Sequence, residues 1–291
     1  MSITELKNDF LIPRAGFNYP PHHSGDHLEE AFIKFWLKEG SGNRKLIPIH
    51  WTAVYNYRIK EGLGSNTPNG HLRQKLRDYL DSLPKDEKYF VVCTHDDAPS
   101  ETLPPDTQVF AAGGNSNRID VHIPLTCGPH HDIIDPIRMI PMSFVGSITH
   151  SIRQNLLMSV NGKPGVFLQV SEWQENISEE KIQNFKHITQ NSIFSLCPRG
   201  YGATSYRLYE AMQLGAIPVY VSDKHLLPWS DEVDWSSFCV ILTPDQISNI
   251  FNMTFDLGGK RLKEMQSNLK DVWKNHFSVE SSCLHIAKRI K

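Results

Sequence analysis

Arg199, Arg207 and Glu210 fall within one stretch, SLCPRGYGATSYRLYEAMQLGAIPVYVSD, running from Ser195 to Asp223. A guanidinium matches phosphate geometry with a planar donor fork. A carboxylate accepts two hydrogen bonds from vicinal hydroxyls such as those of a ribose. An anion and a hydroxyl-rich ring together describe a nucleotide-sugar. Gly200 and Gly202 let the backbone approach a ligand closely. Thr204 or Ser205 stands where it caps the next helix, and a helix N-terminus receives anions. Arg207 and Glu210, three apart, share a face of that helix. The competing reading of this pair is an exposed Arg–Glu ion pair on a helix surface.

Three further constellations carry chemistry. In FVGSITHSIRQNLL a strand ends at Gly146, a small-residue loop holds Ser147, Thr149, His150 and Ser151, and a helix follows with Arg153. Strand–glycine–helix is a generic phosphate cradle, but neither GxGxxG nor the Walker lysine is present, which disfavours dinucleotide oxidoreductases and P-loop enzymes. CTHDDAP places His95, Asp96 and Asp97 after a strand, where one of them serves as a general base; Asp-Asp-Ala-Pro is equally good turn chemistry. His122, Cys127, His130, His131 and Asp132 invite a zinc reading, yet no second cysteine pair accompanies them. Solvated or hydrogen-bonded histidines are expected there, and no metal. Trp229, in LLPWSDEVDW, stacks on a base or sugar, or is simply half-buried.

The elements that must hold these residues follow from apolar periodicity. His27 to Lys38 and Leu72 to Leu83 read as helices, the second closed by Pro84. KLIPIHWT, YFVVCTH, QVFAAGG and IDVHIPL read as strands. Thr126 to Pro141, with three prolines and a glycine, reads as a linker. Beyond it MSFVGS, VFLQV, SIFSLC, AIPVYV and FCVILT are short apolar strands spaced by helices, the pattern of buried parallel βαβ units. Ligands bind at the C-terminal strand ends of such sheets. The expected fold class is α/β: two Rossmann-like lobes with a cleft between them. The expected units are an N-terminal lobe over 1–128, a C-terminal lobe carrying the nucleotide-sugar residues over 129–278, and a C-terminal helix over 279–291 packing back on the first.

Composition narrows the class. The 291 residues are 40% hydrophobic and 21% charged, with net charge −2. These values describe an ordinary soluble domain pair and offer no bulk electrostatic case for nucleic acid. No apolar run approaches the roughly 18 residues of a membrane span. Five cysteines without a CxxC pair suit free thiols in a reducing compartment, so a soluble cytoplasmic protein is expected. The sequons at Asn176 and Asn252 are read as unused.

The run CPRGYGATSYRLYEAMQLGAIPVYVSDKHLLPWSDEVDW resembles the signature region of the exostosin-like glycosyltransferases, glycosyltransferase family 47. The likeness is clear over Phe194 to Phe238, extends to MSFVGSITHSIRQNLL and FVVCTHDDAP, and thins elsewhere. It implies a GT-B-like architecture and inverting transfer from a UDP-sugar to a glycan hydroxyl, with no cofactor and no metal. By position it implies a phosphate loop lined by Gly146, Ser147, Gly200, Tyr201 and Gly202, within a donor-binding site that also takes in His150, Pro198, Ser205 and Arg207. Arg153 and Arg199 neutralise the diphosphate, and Glu210 holds the ribose. Asp223 and Trp229 are expected near the donor sugar or its adjoining loop. Asp96 is the expected base and His95 its rival, with Arg199 catalytic through the leaving group. The family's habits favour xylose or another pentose. The resemblance makes the first lobe the acceptor side; against the family the chain is expected to be short, without the usual anchor and with an abbreviated first lobe, so the acceptor is the least specified partner. The alternative is a non-catalytic nucleotide-sugar or carbohydrate-binding partner subunit.

Overall fold

The computed structural model of the chain describes residues 10–11, 27–60, 69–116, 118–126, 128–174 and 177–290. Cys127 and Asn176 lie outside them. The first sheet is four-stranded and wholly parallel, in the order β1 (Lys45–Leu46), β2 (Tyr89–Cys93), β3 (Gln108–Ala111), β4 (Val121–His122). It is accompanied by α1 (Leu28–Glu39), α2 (Trp51–Lys60) and α3 (Asn69–Ser82). Every residue of β2 is buried, and the pleat divides them. Phe90 and Val92 face one core, Tyr89, Val91 and Cys93 the other. Only two residues of KLIPIHWT are strand. Pro48 has no N–H for a ladder, and Trp51 already begins α2.

The second sheet is five-stranded and parallel, in the order β6 (Val166–Val170), β5 (Ile140–Gly146), β7 (Ser192–Pro198), β8 (Ile217–Val221), β9 (Val240–Leu242). The helices α4 (Ser151–Val160), α5 (Glu179–Gln190) and α6 (Tyr206–Gln213) make the crossovers. The chain steps from β5 outward to β6, then returns past β5 to β7. That reversal creates a topological switch point between β5 and β7, where the two outgoing loops diverge and leave a crevice. Among the described residues the first sheet runs in plain sequence order and has no such point. Two parallel α/β lobes, GT-B-like in organisation, are therefore present, and the ligand-accepting feature belongs to the second.

The lobes are not separate bodies. One continuous apolar core includes Phe32, Phe90 and Phe110 of the first lobe with Phe144, Phe194, Tyr209 and Phe277 of the second. The C-terminal helices α7 (Ile250–Phe255), α8 (Gly258–Val272) and α9 (Val279–Lys288) bring the chain back, and α9 packs on α1. The Gln108 side-chain amide donates to the Arg289 carbonyl at 2.8 Å. Among the described residues no helix is long and apolar enough to cross a membrane.

Because the core is shared, both lobes should unfold in one calorimetric transition; two resolved transitions would show the core not to couple them. Phe90 is fully buried and edge-on to Trp36 and Phe110. Phe90→Ala should lower stability by about 3–5 kcal/mol, read by denaturant unfolding.

A candidate active site at the seam between the sheets

The site is built on the switch point. β5 ends at Gly146 with φ of +152°, a conformation that side chains rarely adopt. A Cβ there would strike the Arg207 guanidinium. Arg207 needs the space because its Nε and Nη2 both donate to the Val145 carbonyl, at 3.1 and 2.7 Å, while the group lies over the Phe144 ring. His150 caps α4, its Nδ1 accepting the Ile152 N–H at 3.2 Å. That bond makes Nδ1 the acceptor and leaves the ring proton on Nε2, where it is available as a donor.

Arg153, one turn into α4 and 6% exposed, ties the two loops of the switch point together. Its Nη1 donates to Ser147 O at 2.8 Å on the β5 side. On the β7 side Nε donates to Arg199 O at 3.0 Å and Pro198 O at 3.4 Å, and Nη2 to the Ser205 hydroxyl at 3.4 Å. Gly200 is required by this brace: a Cβ would stand 2.9 Å from Arg153 Nη2. Ser205 is the N-cap residue of α6, so the starts of α4 and α6 lie on either side of one guanidinium.

Arg199 follows β7 and is 5% exposed. Its Nη1 donates to Asp223 Oδ1 at 2.5 Å, Nη2 to Tyr201 O at 3.0 Å and Nε to Gly200 O at 3.3 Å. Each terminal guanidinium nitrogen carries a second proton. Asp223 stands after β8 with its carboxylate half-exposed.

Across the seam, the loop after β7 docks onto the loops after β2 and β3. Ala203 N–H donates to Gly113 O at 2.9 Å. The Tyr201 hydroxyl donates to Asp97 Oδ2 at 3.2 Å, and the Asn115 amide donates to Asp97 Oδ1 at 3.1 Å. Gly202 carries no side chain because the Asp96 carboxylate fills that place, and its N–H donates to that carboxylate. Thus the loop after β2 delivers Asp96 beside the arginines of the other lobe.

The electrostatics express this convergence. Burial, then the neighbouring Asp97, pushes the Asp96 carboxyl up to about 7, against the opposing pull of Arg199, the Gly202 N–H and Arg153. Burial lowers the His150 pKa, and the positive charges of Arg199 and Arg153 lower it further against Asp223. Burial alone would raise Asp223, but the hydrogen bond and charge of Arg199 outweigh it and hold the carboxyl below its ordinary value.

Other residues singled out by sequence lie elsewhere. Arg207 (9% exposed) and Glu210 (5%) are both buried, which removes the exposed helix pair. They also face different neighbours: Arg207 meets β5, while Glu210 Oε1 lies 3.5 Å from His130 Nε2 in the segment before β5. The His130 N–H donates to Gln213 Oε1 at 2.7 Å, so that segment is pinned along α6. His95 turns into its own lobe, with Nδ1 accepting the Asp97 N–H at 3.1 Å and its ring against Tyr55. Trp229, expected near the donor sugar, is 3% exposed and committed to the C-terminal helix: its ring stacks on His285, with Arg289 over it, and its N–H donates to His276 O at 3.0 Å. Among the described residues no three His, Cys, Asp or Glu side chains are grouped to hold a metal ion. Sequence reading passes over Asn115 and takes His130 only as a solvated or hydrogen-bonded histidine, with no link to Glu210. An asparagine after two glycines reads as a turn, and nothing local relates residue 130 to a helix more than 70 residues away.

Comparison with known proteins agrees with the motif. Residues 92–255, more than half of the chain, match the Exostosin GT47 domain. A probable glycosyltransferase of Arabidopsis thaliana is 31% identical over 148 residues, which are 47% of this chain and 28% of that protein. The Exostosin-1 homolog of Caenorhabditis elegans is 29% identical over 100 residues, 34% of this chain and 26% of that protein. A probable glucuronosyltransferase of Oryza sativa subsp. japonica is 35% identical over 75 residues, 26% of this chain and 18% of that protein. The chain thus spans under a third of the length of these relatives. Among solved structures, a glycosyltransferase from Rickettsia africae aligns over 89% of this chain and 87% of its own, at 12% identity and a TM-score of 0.42. The sequence match across both loops of the seam, and the strand–loop–helix units that carry them, assign the chain to the exostosin family, glycosyltransferase family 47.

Proposed function

We propose that the chain transfers a sugar from a UDP-sugar to a hydroxyl of a glycan acceptor, with inversion at the anomeric carbon and without a metal. One observation carries this reading. At the β5/β7 switch point Arg153, Arg199 and the starts of α4 and α6 converge, directly opposite the Asp96 carboxylate of the other lobe. In the proposed step the acceptor oxygen bonds to the anomeric carbon as the bond to the β-phosphate oxygen breaks. The acceptor proton passes to Asp96, and UDP leaves with the bonding pair.

Negative charge grows on the β-phosphate, so fixed positive groups matter most there. Arg153 supplies charge from beneath both loops while its own hydrogen bonds hold them. Arg199 supplies it from the loop after β7, with second protons on both terminal nitrogens, and His150 offers its Nε2–H. Gly146, Ser147, Pro198, Gly200, Tyr201, Gly202 and Ser205 form the walls. Arg207 contributes by holding the end of β5 and Glu210 by its place on α6. A pentose such as xylose is the proposed donor sugar. It follows the family's habit, and the carboxylates of Asp223, Asp96 and Asp97 around Arg199 suit an uncharged sugar better than a uronate. A reducing compartment is the proposed setting, supported by the buried free thiols of Cys93, Cys197, Cys239 and Cys283.

A second reading, a partner subunit that binds UDP-sugar without turning it over, draws support from the engagement of Asp96 by Gly202 and of Arg199 by Asp223. It is distinguished by UDP release that does not respond to any acceptor.

Arg199→Ala should cut transfer by about 10²–10³ with the melting temperature near wild type; near-normal turnover would remove the phosphate assignment. Asp96→Asn should bind UDP normally, by calorimetry, and lose about 10²–10⁴ in rate. Because the base must be ionised and its carboxyl titrates near 7, kcat/KM should fall as the pH drops through about 7, and this limb should vanish in Asp96→Asn. UDP-xylose at about 100 times its Kd should stabilise the fold by about 2.7 kcal/mol; a larger thermal shift with UDP-glucuronic acid would overturn the pentose assignment.

A further inference from the structure

Glu29 lies in the first turn of α1 and is completely enclosed, with 0% exposure. A buried carboxylate is costly unless its oxygens are supplied with donors. Here they are. Oε1 accepts the Thr52 N–H at 2.7 Å, and Oε2 accepts the Thr94 N–H at 2.8 Å and the Thr94 hydroxyl at 3.1 Å. The two threonine hydroxyls are themselves 3.0 Å apart. Thr52 stands in the first turn of α2, and Thr94 is the residue at which β2 gives way to His95, Asp96 and Asp97. One carboxylate therefore joins three elements at the root of the loop that carries Asp96.

The strand ladder explains why an outside acceptor is needed. β1 pairs with β2 only at Lys45 with Tyr89 and Leu46 with Phe90, and the last bond on that side runs from Ile47 N–H to Phe90 O. β2 continues to Cys93 beyond that point. Glu29 takes over where β1 stops, and it holds the Thr94 N–H that a longer β1 would have met. Packing alone would be met by an apolar side chain of similar volume, which avoids the desolvation of a carboxylate. The cost is visible in the titration: burial pushes the Glu29 carboxyl up to about 7, Glu30 adds to the rise, and the Thr94 and Thr52 N–H groups work against it.

We infer that Glu29 is the positioning residue for the Asp96 loop, fixing the end of β2 so that the Asp96 carboxylate reaches the Gly202 N–H and faces Arg199 across the seam. This rests on the reading of Asp96 as general base. Glutamine in place of Glu29 keeps one acceptor oxygen but sets an amide N–H₂ against the remaining backbone donor, so one of the two anchors is lost. Asp96 then loses part of its contact with the Gly202 N–H, which favours its ionised form.

The test compares Glu29→Gln and Glu29→Asp with wild type in the full chain. Glu29→Gln should lower kcat about tenfold while KM for UDP-xylose and Kd for UDP stay within twofold. The acid limb of its pH–rate profile should move upward from about 7. Amide exchange at Thr94 to Asp97, and at Gly202 opposite Asp96, should quicken, with no change at the other amides over 199–205. Glu29→Asp, which retains both oxygens, should recover part of the rate, and it carries the same comparison if Glu29→Gln does not fold. Wild-type kcat in Glu29→Gln, or equal losses in kcat and UDP affinity, would overturn the positioning role. If wild type binds UDP but transfers nothing, the transferase reading fails by itself, and exchange at Thr94 to Asp97 still decides: faster exchange supports the anchor and unchanged protection removes it.

Discussion

The Arg153 guanidinium is the interaction on which the site depends. At a topological switch point the two outgoing loops diverge, so nothing in the sheet itself holds them at a set distance. Arg153 does so by donating to Ser147 O in one loop and to Arg199 O, Pro198 O and the Ser205 hydroxyl in the other. Carbonyl oxygens at loop turns would otherwise be poorly satisfied inside the protein. The same bonds place a formal positive charge beneath the crevice, within electrostatic reach of Asp96. One side chain thus serves shape and field together.

The second constraint is the shared core. Phe32, Phe90 and Phe110 belong to the same apolar body as Phe144, Phe194 and Phe277, and α9 clamps against α1. The rims of the two sheets are held face to face by this packing, and the backbone contact of Ala203 with Gly113 completes the seam. Two glycines permit that proximity. Gly202 admits the Asp96 carboxylate, and Gly113 lets the chain at His95 and Asp96 pass where a Cβ would meet the Asp96 Cα. A carboxylate from one lobe is thereby brought within electrostatic reach of arginines from the other.

The meeting has an electrostatic cost that is also its chemical use. Asp96 is crowded by protein and by Asp97, which disfavours its charge, while Arg199, Arg153 and the Gly202 N–H favour it. The balance leaves a carboxyl that changes charge near neutral pH, the condition for a proton acceptor. The pairing of Arg199 with Asp223 works in the same sense, since it orients the guanidinium plane at the rim.

Much of the second lobe was legible in the residues alone. VFLQV is β6 to the residue and the helix expected to carry Arg153 is α4, because a short β-branched run and an apolar face of period 3.6 are local signals. The run from Cys197 to Asp223 named the loop that carries Arg199, since an arginine at a strand end followed by two closely spaced glycines suits an anion-binding loop. KLIPIHWT misled through its apolar content, which conceals Pro48. The destinations of side chains were not legible. Arg207 and Glu210 share a helix by spacing, yet one meets Val145 and the other His130; Trp229 sits in a donor-like motif but stacks on His285. Nor did anything near Glu29 tie it to Thr94, 65 residues away. Sequence by itself determined element types, the parallel α/β class and the chemistry on offer, because these follow from local periodicity and residue type. Tertiary structure alone decided which donors meet which acceptors, because that is settled by the packing of elements remote in the chain.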